Sequence, residues 1–233
     1  MTAAKVKQAL KKLADRERAI SSARFFKTGK GYYGEGDKFL GIIVPAQRSV
    51  AKRFIALPLL EIKELLASPY HEHRLTALLI LVAKFKRATE AEKKKIVKFY
   101  LANTKRINNW DLVDLSAPNI LGEWLVAQPD DKLLERLAES EYLWERRIAV
   151  LAGLSFIKRN QLSLTFNLAA KLMGDKHDLM HKAIGWMLRE AGKRDEKALK
   201  NFLDIYKNKM PRTMLRYSIE RLSDKDKKKY LMK

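Results

Sequence analysis

The 233-residue chain contains no cysteine. Disulfides, thiolate nucleophiles and cysteine-ligated zinc or iron–sulfur centres are therefore all excluded. Long hydrophobic runs are missing as well: the longest, LTALLILVA and IAVLAGLSFI, fall far short of the roughly 20 residues that cross a bilayer. The N-terminal stretch MTAAKVKQALKKLADRERAI carries charge throughout and has no apolar centre of the secretory kind. The chain is expected to be soluble and cytoplasmic. It also lacks a P-loop, a nucleophile elbow and a CxxC pair.

Negative charge is scarce relative to positive. Lys and Arg number 48 against 27 Asp and Glu, a net charge of +21, and the pI is about 10.0. That balance calls for a polyanionic partner, and nucleic acid fits best because phosphate contacts supply affinity without base recognition. An anionic membrane fits less well, since the basic residues spread over the whole chain rather than gathering on one Trp-rich amphipathic anchor. With 47% apolar residues the chain can bury a sizeable core, and a single domain over 1–233 is expected.

Helical periodicity dominates, from KVKQALKKLADRERAISSARFF through VPAQRSVAKRFIAL and PLLEIKELLAS to MLRYSIERLS. Most of the six prolines fall at breaks or first turns, and Pro118 should end or kink the helix that precedes it. A basic residue followed by an apolar or small one three positions on recurs at Arg74, Arg146 and Lys182, which are 72 and 36 residues apart. A 36-residue unit places a further copy at Trp110, and units of this size mark an α-solenoid of paired helices. In that register Leu78, Asp114, Val150 and Trp186 are equivalent and should point the same way. Arg147, adjacent in register to Asp111, could border the same surface. The tail 223–233, SDKDKKKYLMK, holds too many like charges to be expected as a helix.

One segment departs from the all-α pattern. Five of the ten glycines lie within 29–41, interleaved with Tyr32, Tyr33 and Phe39, which reads as an inserted β-hairpin or long loop. Gly29, Gly31 and Gly34 spell a dinucleotide fingerprint, but a helix precedes them and an extended stretch follows, the reverse of what the fingerprint needs. Lys30 and Lys38 with Tyr32 and Tyr33 could contact a nucleic-acid backbone and stack on unpaired bases. A loop that merely packs its own aromatics is the equal alternative. HDLMH at 177–181 differs from a zincin motif by Asp178, one methylene shorter than the required Glu, and has no third ligand in view. His71 and His73, two apart, diverge on a helix. No metal site is expected.

The most informative string is NNWDLVDLSAPNILG at 108–122, which sets Trp110 and Asp114 one helical turn apart on one face. Asp114 lies within an apolar stretch rather than at a helix start, and Trp186 in HKAIGWMLREAGKR occupies the equivalent repeat position. Together with FLGIIVPAQR, LWERRIAVL and MPRTMLRYSIERL, these strings make the chain similar to the AlkD-type, HEAT-like-repeat DNA alkylation repair proteins, whose members excise N3- and N7-alkylated purines. The resemblance covers most of the chain. It implies active-site tryptophans at Trp110 and Trp186, a catalytic aspartate at Asp114 and a DNA-contacting arginine at Arg147. Arg146, Lys182 and Arg189 are expected as further DNA contacts. It implies double-stranded DNA as partner, a monomer, no cofactor and a nucleoid-associated role. The GKGYYGEGD stretch is longer than in the best-known glycosylase members and resembles a subgroup with a β-hairpin there, which makes a non-catalytic binder of branched or distorted DNA the alternative.

The implied chemistry suits these residues. A cationic alkylpurine is already a good leaving group, and its departure leaves an oxocarbenium-like sugar. Aromatic faces attract that cation and a carboxylate can stabilise it and orient water, with no general acid needed.

Overall fold

In the computed structural model, which describes residues 1–232, the chain is all-α and of the helical-repeat solenoid class, with no strand among the described residues. It divides into two compact units, Met1–Ser116 and Ala117–Lys233.

Unit 1 contains α1 (Ala3–Lys11), α2 (Arg16–Phe25), α3 (Val44–Arg53), α4 (Leu59–Leu66), α5 (His71–Arg87), α6 (Glu90–Ala102) and α7 (Trp110–Ser116). The long N-terminal helical pattern is cut in two because Asp15 caps α2, its carboxylate accepting from the Arg18 N–H at 2.9 Å. Thr89 and Glu92 form a reciprocal capping box at the start of α6. The core of this unit is α5, buried from His71 through Leu81, against which α3, α4 and α7 pack.

Of the two readings of 29–41, the β-hairpin is not there and the segment is a glycine-rich loop. Glycines at positive φ (Gly31, Gly36 and Gly41) break the segment into successive turns. Its only ladder-like feature is an isolated bridge in which Lys38 N–H donates to Pro69 O and Lys38 O accepts from His71 N–H. The N–H groups of Leu40, Gly41 and Ile42 instead converge on the carboxylate of Glu72, at 2.9, 2.7 and 3.3 Å. A strand's hydrogen bonds are thus supplied by a side chain.

Unit 2 opens with a π-helical turn, Pro118–Gly122, and continues through α8 (Glu123–Ala127), α9 (Asp131–Ala138), α10 (Leu143–Ile157), α11 (Ser163–Lys171), α12 (Asp178–Gly192), α13 (Glu196–Tyr206), α14 (Arg212–Ser218) and α15 (Asp224–Leu231). The chain does break near Pro118 as expected, by winding wide rather than by leaving the helix. A Cβ on Gly122 would stand 2.5 Å from Ala152 O, so glycine permits the close approach to α10. Helices α10 and α12 form the core, flanked by α9, α11, α13 and α14.

The tail corrects a second expectation. Despite its like charges it is helical as α15, because Ser223 caps it and Lys200 and Lys229 pair with Asp226 and Asp204, while Tyr230 is buried. Lys233 lies outside the described residues. Of the four register-equivalent residues, Leu78 and Val150 are buried, whereas Asp114 and Trp186 are half-exposed.

Candidate functional site

In unit 1 the expected site residues Trp110 and Asp114 sit on α7. Asn109 starts the helix, its Oδ1 accepting from the Trp110 N–H at 2.8 Å. The Trp110 indole is stacked on Phe26, centroids 5.3 Å apart at 22°, and meets the edge of Phe25 at 5.9 Å. Phe26 is in turn packed against Phe39 (5.1 Å) and the His71 imidazole (4.9 Å), which are themselves stacked at 4.8 Å. The glycine-rich segment closes this cluster: Lys27 takes a left-handed φ of 53°, and a Cβ on Gly34 would lie only 2.3 Å from Phe26 O. The segment acts as a strap that holds Phe26 and Phe39 behind the tryptophan.

Beneath the rings lies a polar network. His71, Glu72, His73 and Arg74 are four consecutive ionisable residues, all buried, and each must find partners to leave water. His71 Nε2 meets Asp111 Oδ2 at 2.8 Å and its Nδ1 lies 3.5 Å from Asp37 Oδ2. Arg74 donates to Asp37 Oδ1 at 2.6 Å and to Ser68 O at 3.0 Å. Asn109 reaches Asp37 at 3.4 Å. Burial alone would lower the His71 pKa, but the Asp111 and Asp37 carboxylates outweigh it and raise the imidazole to about 9. Burial likewise opposes ionisation of Asp37, yet His71 and Arg74 hold it below the usual carboxylate range. His73, bonded to Ser68 Oγ at 2.8 Å, is pushed down to about 4 by burial and by the charges of Lys7 and Arg74. Two residues apart on α5, the two histidines turn to different partners, His71 to Asp111 and His73 to Ser68.

Asp114, half-buried one turn after Trp110, is close enough for its charge to act on Tyr100. That phenol is fully buried and bonded to Ser116 Oγ at 2.9 Å; burial pushes its pKa up, and Asp114 adds to the effect. The same unit carries the loop residues expected to touch DNA. Tyr32, Lys30 and Lys38 are exposed, while Tyr33 is half-buried with its hydroxyl 3.5 Å from Phe25 O.

In unit 2, Trp186 is half-exposed on α12, and its indole N–H donates to Glu190 Oε1 at 3.2 Å. Glu190 also pairs with Arg189 and Lys193, and Arg189 with Glu220. Arg147 is buried, with its Nη1 donating to Leu179 O. Arg146 binds Asp175 at 2.7 Å and the carbonyls of Ser140 and Glu141. Lys182 pairs with Asp178 at 2.8 Å. His177 and His181 serve the start of α12: His177 Nδ1 accepts from the Leu179 N–H, and His181 Nε2 meets Asp175 O.

A family model described as DNA alkylation repair enzyme matches residues 6–222. The chain belongs to the DNA alkylation repair enzyme family. No curated protein matches it. A solved structure, a predicted DNA alkylation repair enzyme from Enterococcus faecalis, is similar over 91% of this chain and 97% of its own, with a TM-score of 0.71 and 18% identity, a likeness of fold. In this family member the sequence placed Trp110 and Asp114 one turn apart on a helix, as α7 has them, and did not reveal Phe26, His71 and the Asp37–Arg74 pair packed behind Trp110. The clue available was HEHR itself, four ionisable residues at the head of an otherwise apolar helix.

Proposed function

We propose that this family member is a monofunctional DNA glycosylase that binds duplex DNA and hydrolyses the N-glycosidic bond of cationic N3- and N7-alkylated purines. The observation that carries the reading is the pairing on α7 of a ring-backed Trp110 with the half-buried carboxylate of Asp114 one turn away. Trp110 offers an aromatic face fixed from behind, so no rotamer entropy is lost when a cation approaches it. Asp114 supplies the negative charge against which the oxocarbenium-like sugar develops, and orients water toward it. The departing base leaves neutral, so no protein acid is required. In unit 2 the resemblance implies an active-site role for Trp186 and a DNA contact for Arg147, and Arg146, Lys182 and Arg189 are the further candidates for DNA binding. The alternative, a non-catalytic binder of branched or distorted DNA, draws on the 29–41 segment, which folds as a strap and leaves Lys30, Tyr32 and Lys38 exposed.

Incubation with duplex containing 7-methylguanine should release free base and leave abasic sites. Asp114→Asn, which keeps shape and removes charge, should slow release by about 10²–10³-fold with duplex affinity unchanged or slightly higher; unchanged release rules Asp114 out as the catalytic carboxylate. Duplex affinity should also fall steeply and linearly with salt on logarithmic axes, by about 0.9 per phosphate neutralised. A flat dependence contradicts the polyanion reading.

A further inference from the structure

The polar network under Trp110 is more than the packing of a core requires. His71 touches both halves of the arrangement: its ring backs Phe26, on which Trp110 stacks, and its Nε2 binds Asp111, the residue next to Trp110 in the first turn of α7. We propose that His71 is a positioning residue for excision, an imidazolium held between Asp37 and Asp111 that fixes the first turn of α7 and so presents Trp110 and Asp114 together. This rests on the glycosylase reading for its link to activity, but its structural content stands apart from it.

The donor arithmetic supports the charged form. A neutral imidazole has one N–H; here Nε2 is bonded to Asp111 at 2.8 Å, and the buried Nδ1, which has no hydrogen-bond partner, stands 3.5 Å from the Asp37 carboxylate, an ion-pair contact that only a second N–H makes attractive. Loss of a proton turns a lone pair toward a buried carboxylate and leaves its charge less compensated. The groups that face the ring are Asp37 from the strap, Arg74 from α5 and Asp111 from α7, with Phe26 and Phe39, themselves in contact, packed against it. Glu72, next in α5, turns its carboxylate to the Leu40–Ile42 N–H groups. Because the folded-state pKa is raised, the clamp is complete below the ordinary imidazole value of 6.5 and is lost as pH rises through about 9.

The test follows 7-methylguanine release and the Trp110 indole N–H resonance, assigned with Trp110→Phe, from about pH 7 to about pH 10. In the wild-type protein kcat should fall by about 10- to 100-fold across the alkaline limb with KM little changed, and the Trp110 resonance should titrate with the same midpoint. Asp111→Asn removes one of the two carboxylates, so both midpoints should move to lower pH. His71→Gln should abolish the titration of Trp110 and flatten the alkaline limb at a lower kcat. A Trp110 resonance that ignores this pH range in the folded wild-type protein overturns the proposal, as does an Asp111→Asn protein with unmoved midpoints. If no base is released from any substrate while Trp110 still titrates with His71, the glycosylase reading fails and the clamp survives.

Discussion

Residues 68–74 and 140–146 form the same corner twice, once in each unit. In both, a serine hydroxyl accepts the N–H of a tyrosine two residues later (Ser68 and Tyr70 at 3.2 Å, Ser140 and Tyr142 at 3.1 Å), and an arginine six residues on binds the serine carbonyl (Arg74 at 3.0 Å, Arg146 at 2.9 Å). The partners then differ. Arg74 reaches back to Asp37 in the strap that precedes it, and both side chains are nearly out of water, at 4% and 5% exposure. Arg146 reaches forward to Asp175, and its own side chain keeps 19% exposure. At the first helical position, unit 1 has His71 and unit 2 has Leu143. One local motif has been used for two ends: in unit 2 it closes a corner, and in unit 1 it anchors the wiring behind an aromatic site.

The comparison can be broken by removing each arginine. Arg74→Ala leaves Asp37 buried, with His71 only at 3.5 Å and already shared with Asp111, so chemical denaturation should show a loss of about 3–5 kcal/mol. Arg146→Ala should cost less, about 1–3 kcal/mol, because Asp175 keeps the His177 N–H at 2.9 Å. Equal losses would mean that the two corners do not differ in burial energetics.

A smaller effect separates two glycines. Gly34→Ala forces a Cβ to 2.3 Å from Phe26 O, a backbone atom that cannot step aside, and should destabilise by about 1–3 kcal/mol while altering Trp110 fluorescence through its Phe26 neighbour. Gly153→Ala in α10 meets only Thr165 Oγ1 at 3.5 Å, an ordinary contact, and should stabilise by about 0.5–1 kcal/mol through helix propensity. Thermal melts of the two variants that shift in the same direction would refute this contrast.

The repeat was legible because its corner is local. Arg74 and Arg146, 72 apart, make the same bond to a serine carbonyl, as their shared spacing implied. Lys182 does not extend it: six residues before it stands Lys176 rather than serine, and it pairs with Asp178 within α12. The all-α class was legible from periodicity, and so was the placing of Trp110 and Asp114 one turn apart on one helix. The sequence left 29–41 open between hairpin and loop because glycine and aromatic residues fit either until one knows where the N–H groups go, and Glu72 lies about thirty residues from them. His71 was invisible for the same reason, since its meaning comes from Asp111, forty residues on. The tail helix was missed because its lysines were counted without the aspartates of α13 and α15 that answer them.

The three N–H groups gathered by Glu72 have a further consequence for how the chain behaves among its own copies. Open backbone donors on an irregular, glycine-rich and aromatic segment are a template on which another chain can pair as a strand. A cluster of successive N–H groups is also a ready seat for a stray anion. By lodging a resident carboxylate there, the fold fills the seat with part of itself. The segment most at risk of intermolecular strand exchange is left with no donors to offer at Leu40, Gly41 and Ile42.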